Sequence, residues 1–185
     1  MQLILSLSIF AIALIIVWFM QGYNTFIRLN ALVNEGWSGI DIQLKRRYDL
    51  IPNLIATVKE YSIHEKGILE NVSKMRAESM RTQNIEKKAA AEAGLTTALR
   101  SLFAVSESYP ELKANTNFMQ LQQELSKLEE ELQLARRYYN GTARNFNIQR
   151  LSFPSNIIAI LASFEEKPYF TLSSEEEKNA PSIKF

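Results

Sequence analysis

The chain opens on an unbroken apolar block and then settles into apolar steps of three and four. Residues 3–20 read LILSLSIFAIALIIVWFM, without a charge. As a helix this block is about 27 Å long, close to the roughly 30 Å hydrocarbon core of a bilayer. Ser6 and Ser8 can bond back to the helix backbone, so they do not veto a span. Trp18 and Tyr23 near its downstream end suit an interfacial level. A cleaved signal peptide would need a basic flank and a small-x-small cleavage site, and Met20-Gln21-Gly22-Tyr23 supplies neither. The pattern predicts an uncleaved transmembrane helix.

Beyond Gly22, Phe26, Val33, Trp37, Ile40, Leu44, Ile51, Leu54, Val58 and Tyr61 keep to one side of a helix. Asn30 falls in the same series as a register-setting polar core position. Pro52 should kink this helix without ending it, because the seam keeps its phase beyond it. The helix is expected to end near Tyr61. There Ser62-Ile63-His64-Glu65 has the capping-box spacing for a new N-terminus. A second helix is predicted over residues 63–108, with a seam of Leu69, Val72, Met75 and Met80 and an alanine-rich middle. The rhythm is poor over residues 82–86, so a break there is an alternative.

Tyr109-Pro110 marks the next boundary. A third helix over residues 117–150 has the cleanest seam: Phe118, Leu121, Leu125, Leu128, Leu132, Ala135, Tyr139, Thr142 and Phe146. Phe153-Pro154 then leads into a short apolar helix over residues 157–164, and the segment after Lys167 reads as a mobile polar tail. The fold class is all-α: an N-terminal transmembrane helix, then an elongated antiparallel bundle of three long helices plus a short C-terminal one. The domains are an anchor (1–22), the bundle (23–167) and the tail (168–185). Two successive reversals between the three long helices would turn Tyr109-Pro110 toward the bilayer and put residues 153–164 at the distal tip. The short helix then reads as a cap over the open end of the bundle rather than as a second membrane contact.

Composition removes chemistry more than it adds any. The chain of 185 residues has 21 basic and 20 acidic residues, a net charge of +1, no cysteine and one histidine. Disulfides, thiol catalysis and cysteine metal sites are excluded, and no global charge points to nucleic acid. His64-Glu65 resembles the start of a zinc-protease motif, but Ile68 stands where the second ligand would be, so His64 reads as a turn residue. Glu129-Glu130-Glu131 and Glu175-Glu176-Glu177 are surface runs, since adjacent helix positions do not converge on one point. Lys45-Arg46-Arg47, Arg136-Arg137, Arg144 and Arg150 read as surface charge, with no interleaved aromatics for base stacking. No cofactor, metal site or catalytic residue is expected.

Two stretches carry a resemblance. NEGWSGIDIQLKRRYDLIPNLIATVKEYSIHEK (34–66) and YPELKANTNFMQLQQELSKLEEELQLARRYYNGTARNFN (109–147), the latter leading into FPSNIIAI, resemble the bacterial LemA family, as do Tyr23-Asn24 and Tyr169-Phe170. The resemblance spans nearly the whole chain. It implies a bacterial single-pass protein of the cell (inner) membrane with a helical bundle, and it brings no reaction or catalytic residue. Asp41, Arg46, Arg47, Asp49, Asn53, Arg136, Arg137 and Asn140 are polar members of these stretches. They are the candidate interaction surface, with inter-helix hydrogen bonds and ion pairs as the competing role.

The expected function is that of a membrane-anchored interaction or scaffold protein and not an enzyme. Its partners would be the bilayer, through residues 3–20, and a second copy or another protein, with no nucleic acid or small-molecule substrate. The alternative is a binder of anionic lipid or nucleic acid through the basic helix surface. No Lys or Arg precedes the span and Arg28 follows it, which leans toward a cytoplasmic bundle.

Overall fold

A computed structural model describes residues 1–62 and 64–171. They form α1 (Gln2–Tyr61), α2 (Lys66–Arg81), α3 (Ile85–Ser106), the single turn α4 (Pro110–Lys113), α5 (Thr116–Leu151) and α6 (Ser155–Leu161). No strand occurs among the described residues. The fold is all-α, as the periodicity predicts.

The 60 residues of α1 make a continuous helix about 90 Å long. Its first part is long and apolar enough to cross a membrane, with none of its residues fully buried in the protein and only Trp18 and Phe19 at its end partly so. Pro52 lies within it on the exposed side, where its ring displaces no neighbouring helix. The seam behaves as its spacing dictates: Phe26, Val33, Ile40, Leu44, Ile51, Leu54 and Val58 are buried, and Trp37 and Tyr61 partly so.

Helix α5 runs antiparallel along α1. Phe26 meets Phe146, Trp37 meets Tyr139, Arg46 meets Glu131, and Tyr61 accepts a 2.9 Å hydrogen bond from Asn115 Nδ2. Asn115 also caps α5, its side chain accepting from the Phe118 amide at 3.0 Å. The two helices approach closely at Gly36, where a Cβ would lie 3.0 Å from the Tyr139 Cα.

The expected single helix over 63–108 is instead a hairpin. Thr82, Gln83 and Asn84 break it, and Asn84 caps the new N-terminus by accepting from the Lys87 amide at 3.1 Å. The expected capping box does not form. Ser62 bonds backwards to the Val58 carbonyl and closes α1, while Glu65 stands at the start of α2 without a side-chain cap bond. Met80 of the expected seam is exposed and Ser79 is buried in its place.

The extra reversal inverts the expected placement of both turns. α1 runs outward, α2 back, α3 outward and α5 back, so Tyr109-Pro110 sits at the far end. There the Tyr109 hydroxyl faces Glu65 and α4 packs on α1, α3 and α5. The α5–α6 turn arrives beside the apolar end of α1, where Ile158 packs on Gly22. Residues 153–164 therefore do not cap the distal tip.

The hairpin is also short. The 16 residues of α2 extend about 24 Å, against about 54 Å for the 36 residues of α5. The part of the α1–α5 seam nearest the apolar segment lies beyond its reach. An extended segment covers that part. Ser163, at φ 53°, follows α6 with the Ser163 and Phe164 amides bonding back to Ile160 and Ala159. This left-handed closure turns Phe164 onto Phe26, at 4.7 Å between rings. The chain then returns along α5 to Phe170, which is 3 % exposed against Trp37. The mobile tail expected after Lys167 is thus wrong for residues 168–170, while 172–185 lie outside the described residues.

Candidate functional site

Where the hairpin and the extended segment meet over the seam, polar side chains are buried between helices. Arg47, on the inner side of α1, donates to Glu92 of α3 at 3.2 Å and to Thr96 at 2.9 Å, and pairs with Glu129 of α5 at 3.3 Å. The second oxygen of Glu92 accepts from the Tyr48 hydroxyl. Glu129 also faces Arg136 at 3.6 Å, and the Arg136 guanidinium lies over the Phe170 ring. Arg76 of α2 donates to the Tyr48 carbonyl at 2.7 Å, and Lys88 lies over the Tyr48 ring. Every long helix contributes to this cluster.

The Glu92 side chain is fully buried and that of Arg47 nearly so. A carboxylate and a guanidinium withdrawn from water persist only when their lone pairs and N–H groups are met by partners. The planar fork of Arg47 meets three such partners on two helices. The arrangement fixes register between α1, α3 and α5. Among the described residues no group of three or more His, Cys, Asp or Glu is placed to hold a metal.

Burial, then the charge of Glu92 and its hydrogen bond, push the Tyr48 hydroxyl well above its ordinary value near 10. Burial raises Tyr139 as well. A tyrosine with a raised folded-state pKa keeps its proton after the unfolded chain has lost its own. The associated stability is complete below pH about 10 and falls as pH rises above it. Tyr48→Phe with Tyr139→Phe should therefore flatten the alkaline limb of a melting-temperature profile. A limb equally steep in the double variant would show that other groups set it.

The sequence-derived candidates separate into three groups. Arg47 and Arg136 belong to the buried cluster. Asn140 is half-buried and holds the extended segment: it donates to the Phe170 carbonyl at 3.0 Å and accepts from the Phe170 amide at 2.8 Å. Asp41, Arg46, Asp49, Asn53 and Arg137 are exposed, with Arg46 paired to Glu131 at 2.8 Å. The exposed α1 positions form one stripe that also includes Ile42 and Lys45.

Residue selection from sequence missed Glu92, Tyr48, Glu129 and Asn147. Asn147 repeats the Asn140 arrangement, with paired 2.9 Å bonds to the amide and carbonyl of Lys167. The two asparagines are seven positions apart on a helix, about 10.5 Å, and their partners are three apart on an extended chain, about 10 Å. This spacing match lets one helix clamp the strand-like segment twice. Asn147→Ala should cost about 1–3 kcal/mol and speed amide hydrogen exchange at Lys167 more than at Phe170. Unchanged exchange at Lys167 would refute the clamp.

Comparison with known proteins agrees with the resemblance in the motifs. The sequence profile of the LemA family matches residues 36–185. Two magnetosome proteins of Paramagnetospirillum magneticum, MamQ 1 and MamQ 2, are each 22 % identical over 193 residues, covering 90 % of this chain and 71 % of theirs. Magnetosome protein MamQ of Magnetospirillum gryphiswaldense is 21 % identical over 195 residues, covering 91 % of this chain and 72 % of its own.

Proposed function

The chain belongs to the LemA family, and on that premise we propose that it is a membrane-anchored scaffold whose bundle binds a partner protein or a second copy of itself. The observation that carries this reading is the continuity of α1. The same helix is the apolar segment and the spine of the bundle, so the bundle is coupled to its anchor without a flexible joint. The stripe of Asp41, Ile42, Lys45, Arg46, Asp49 and Asn53 lies outward on that spine. Mixed charge around the exposed Ile42 suits a protein surface better than a polyanion. Of the Lys45-Arg46-Arg47 run, Arg47 is consumed inside the bundle and Arg46 faces Glu131, which weakens the nucleic-acid alternative.

We place the protein in the bacterial cell membrane as a single-pass protein with the bundle on the cytoplasmic side, on the lean given by Arg28. The role is binding rather than catalysis. Cross-linking in the cell followed by native mass determination in mild detergent tests it. A discrete oligomer or a stable co-purifying protein is expected, lost on Ile42→Asp. A bare monomer under both conditions would overturn the proposal.

A further inference from the structure

The end of the bundle beside the apolar segment is built unlike the rest of its surface. Residues 151–164 carry no charge. Leu151, Phe153, Ile160 and Leu161 are 69–82 % exposed, and Ile157 is 43 % exposed. Within α6, Ile158 and Ala159 turn inward, while Ile157, Ile160 and Leu161 share the outer face at the helical spacing of neighbours. Single exposed apolar residues are ordinary on a protein surface, but a contiguous group marks a contact.

The position of this group identifies what covers it. Ile158 Cδ1 lies 2.2 Å from where a Cβ on Gly22 would stand, and Phe164 packs on Tyr23 and Phe26. Trp18 and Phe19, at the end of the apolar segment, pack against the same core. Gly22 is about 3 Å along the axis from Met20, whereas the interfacial layer on each side of a bilayer is about 5–7 Å deep. With residues 3–20 as a span, the outward face of α6 is level with the bilayer surface and continuous with the spanning segment. Arg150 before the apolar stretch and Glu165-Glu166 after it mark where the chain meets and leaves that level.

We propose that the α5–α6 turn is a second, monotopic membrane contact, in which Phe153, Ile157, Ile160 and Leu161 insert into the leaflet beside the spanning helix. It rests on the reading of residues 3–20 as a span. A helix held by one span can rotate and tilt, whereas a second insertion point on one side fixes both. The outward stripe on α1 would then face a set direction relative to the membrane.

The absence of cysteine makes a site-by-site test direct. Single variants Phe153→Cys, Ile160→Cys, Ile12→Cys and Ile42→Cys of the full chain are labelled with an environment-sensitive fluorophore. They are then reconstituted in phosphatidylcholine vesicles carrying nitroxide-labelled lipids of shallow or deep position. The labels at 153 and 160 should be quenched several-fold more strongly by the shallow lipid than the label at 42, and the label at 12 most strongly by the deep lipid. Labels at 153 and 160 that behave like the one at 42, with the one at 12 still quenched, would overturn the second contact and leave the span intact. That result is also what a second copy covering this face would give. A label at 12 that no lipid quenches would overturn both.

Discussion

Glu92→Leu is expected to lower the melting temperature of the bundle by about 10 °C, the equivalent of about 3 kcal/mol in a chain of this size. Arg47 would stay buried with its Glu92 partner gone, and the Tyr48 hydroxyl would lose its acceptor. Glu129 still pairs with Arg47, which keeps the loss at the lower end for a broken buried pair. Glu92→Gln retains the shape and an acceptor and should fall between. Arg46→Ala removes the ion pair with Glu131 at an exposed site and should cost less than about 1 kcal/mol. Circular-dichroism melts of the three variants in one detergent would make the comparison. Equal losses for Glu92→Leu and Arg46→Ala would mean that the buried cluster does not hold the helices in register.

The second large effect is expected at Gly36. A Cβ there would meet the Tyr139 Cα at 3.0 Å, the Thr142 hydroxyl at 3.3 Å and the Tyr138 ring at 3.4 Å. The nearest of these is backbone and cannot rotate away, so a larger side chain must push α5 from α1. Gly36→Leu should cost about 3 kcal/mol, the upper end for overpacking. Three residues on, Gly39 has nothing within 4 Å of its would-be Cβ. Gly39→Ala should raise stability by about 1 kcal/mol through helix propensity alone. Opposite signs at the two glycines test the closeness of α1 and α5, and a mild Gly36→Leu would contradict it.

These two sites also mark the boundary of what was legible in the chain. Gly36 and Gly39 sit in one motif and are identical in one dimension; only the phase against α5 separates them. The seams of α1 and α5 could be read directly, because their apolar positions repeat over long helices and each core residue is its own signal. The hairpin was harder. In α3 the alanines, with Lys88 and Glu92 four residues apart, look the same on a solvated face as in a packed one, and only partners on α1 reveal Glu92 as buried. The break at Thr82, Gln83 and Asn84 was visible only as poor rhythm. Missing it changed the number of reversals and so moved the α5–α6 turn from one end of the molecule to the other. The clamp of Asn140 and Asn147 was invisible for a different reason. It depends on an extended segment that has no periodicity of its own.

The fold turns on topology: α1 carries both the apolar segment and the spine of the bundle, and the α5–α6 turn closes the bundle at the end beside that segment. The most direct measurement pairs Gly22→Cys with Ile158→Cys in the otherwise cysteine-free chain and applies a short thiol cross-linker to membranes. The fold described here predicts an efficient intramolecular cross-link for this pair and none for Gly22→Cys with Leu112→Cys. Cross-linking of Gly22 to position 112 and not to 158 would contradict it, because that is what a bundle without the α2–α3 reversal requires.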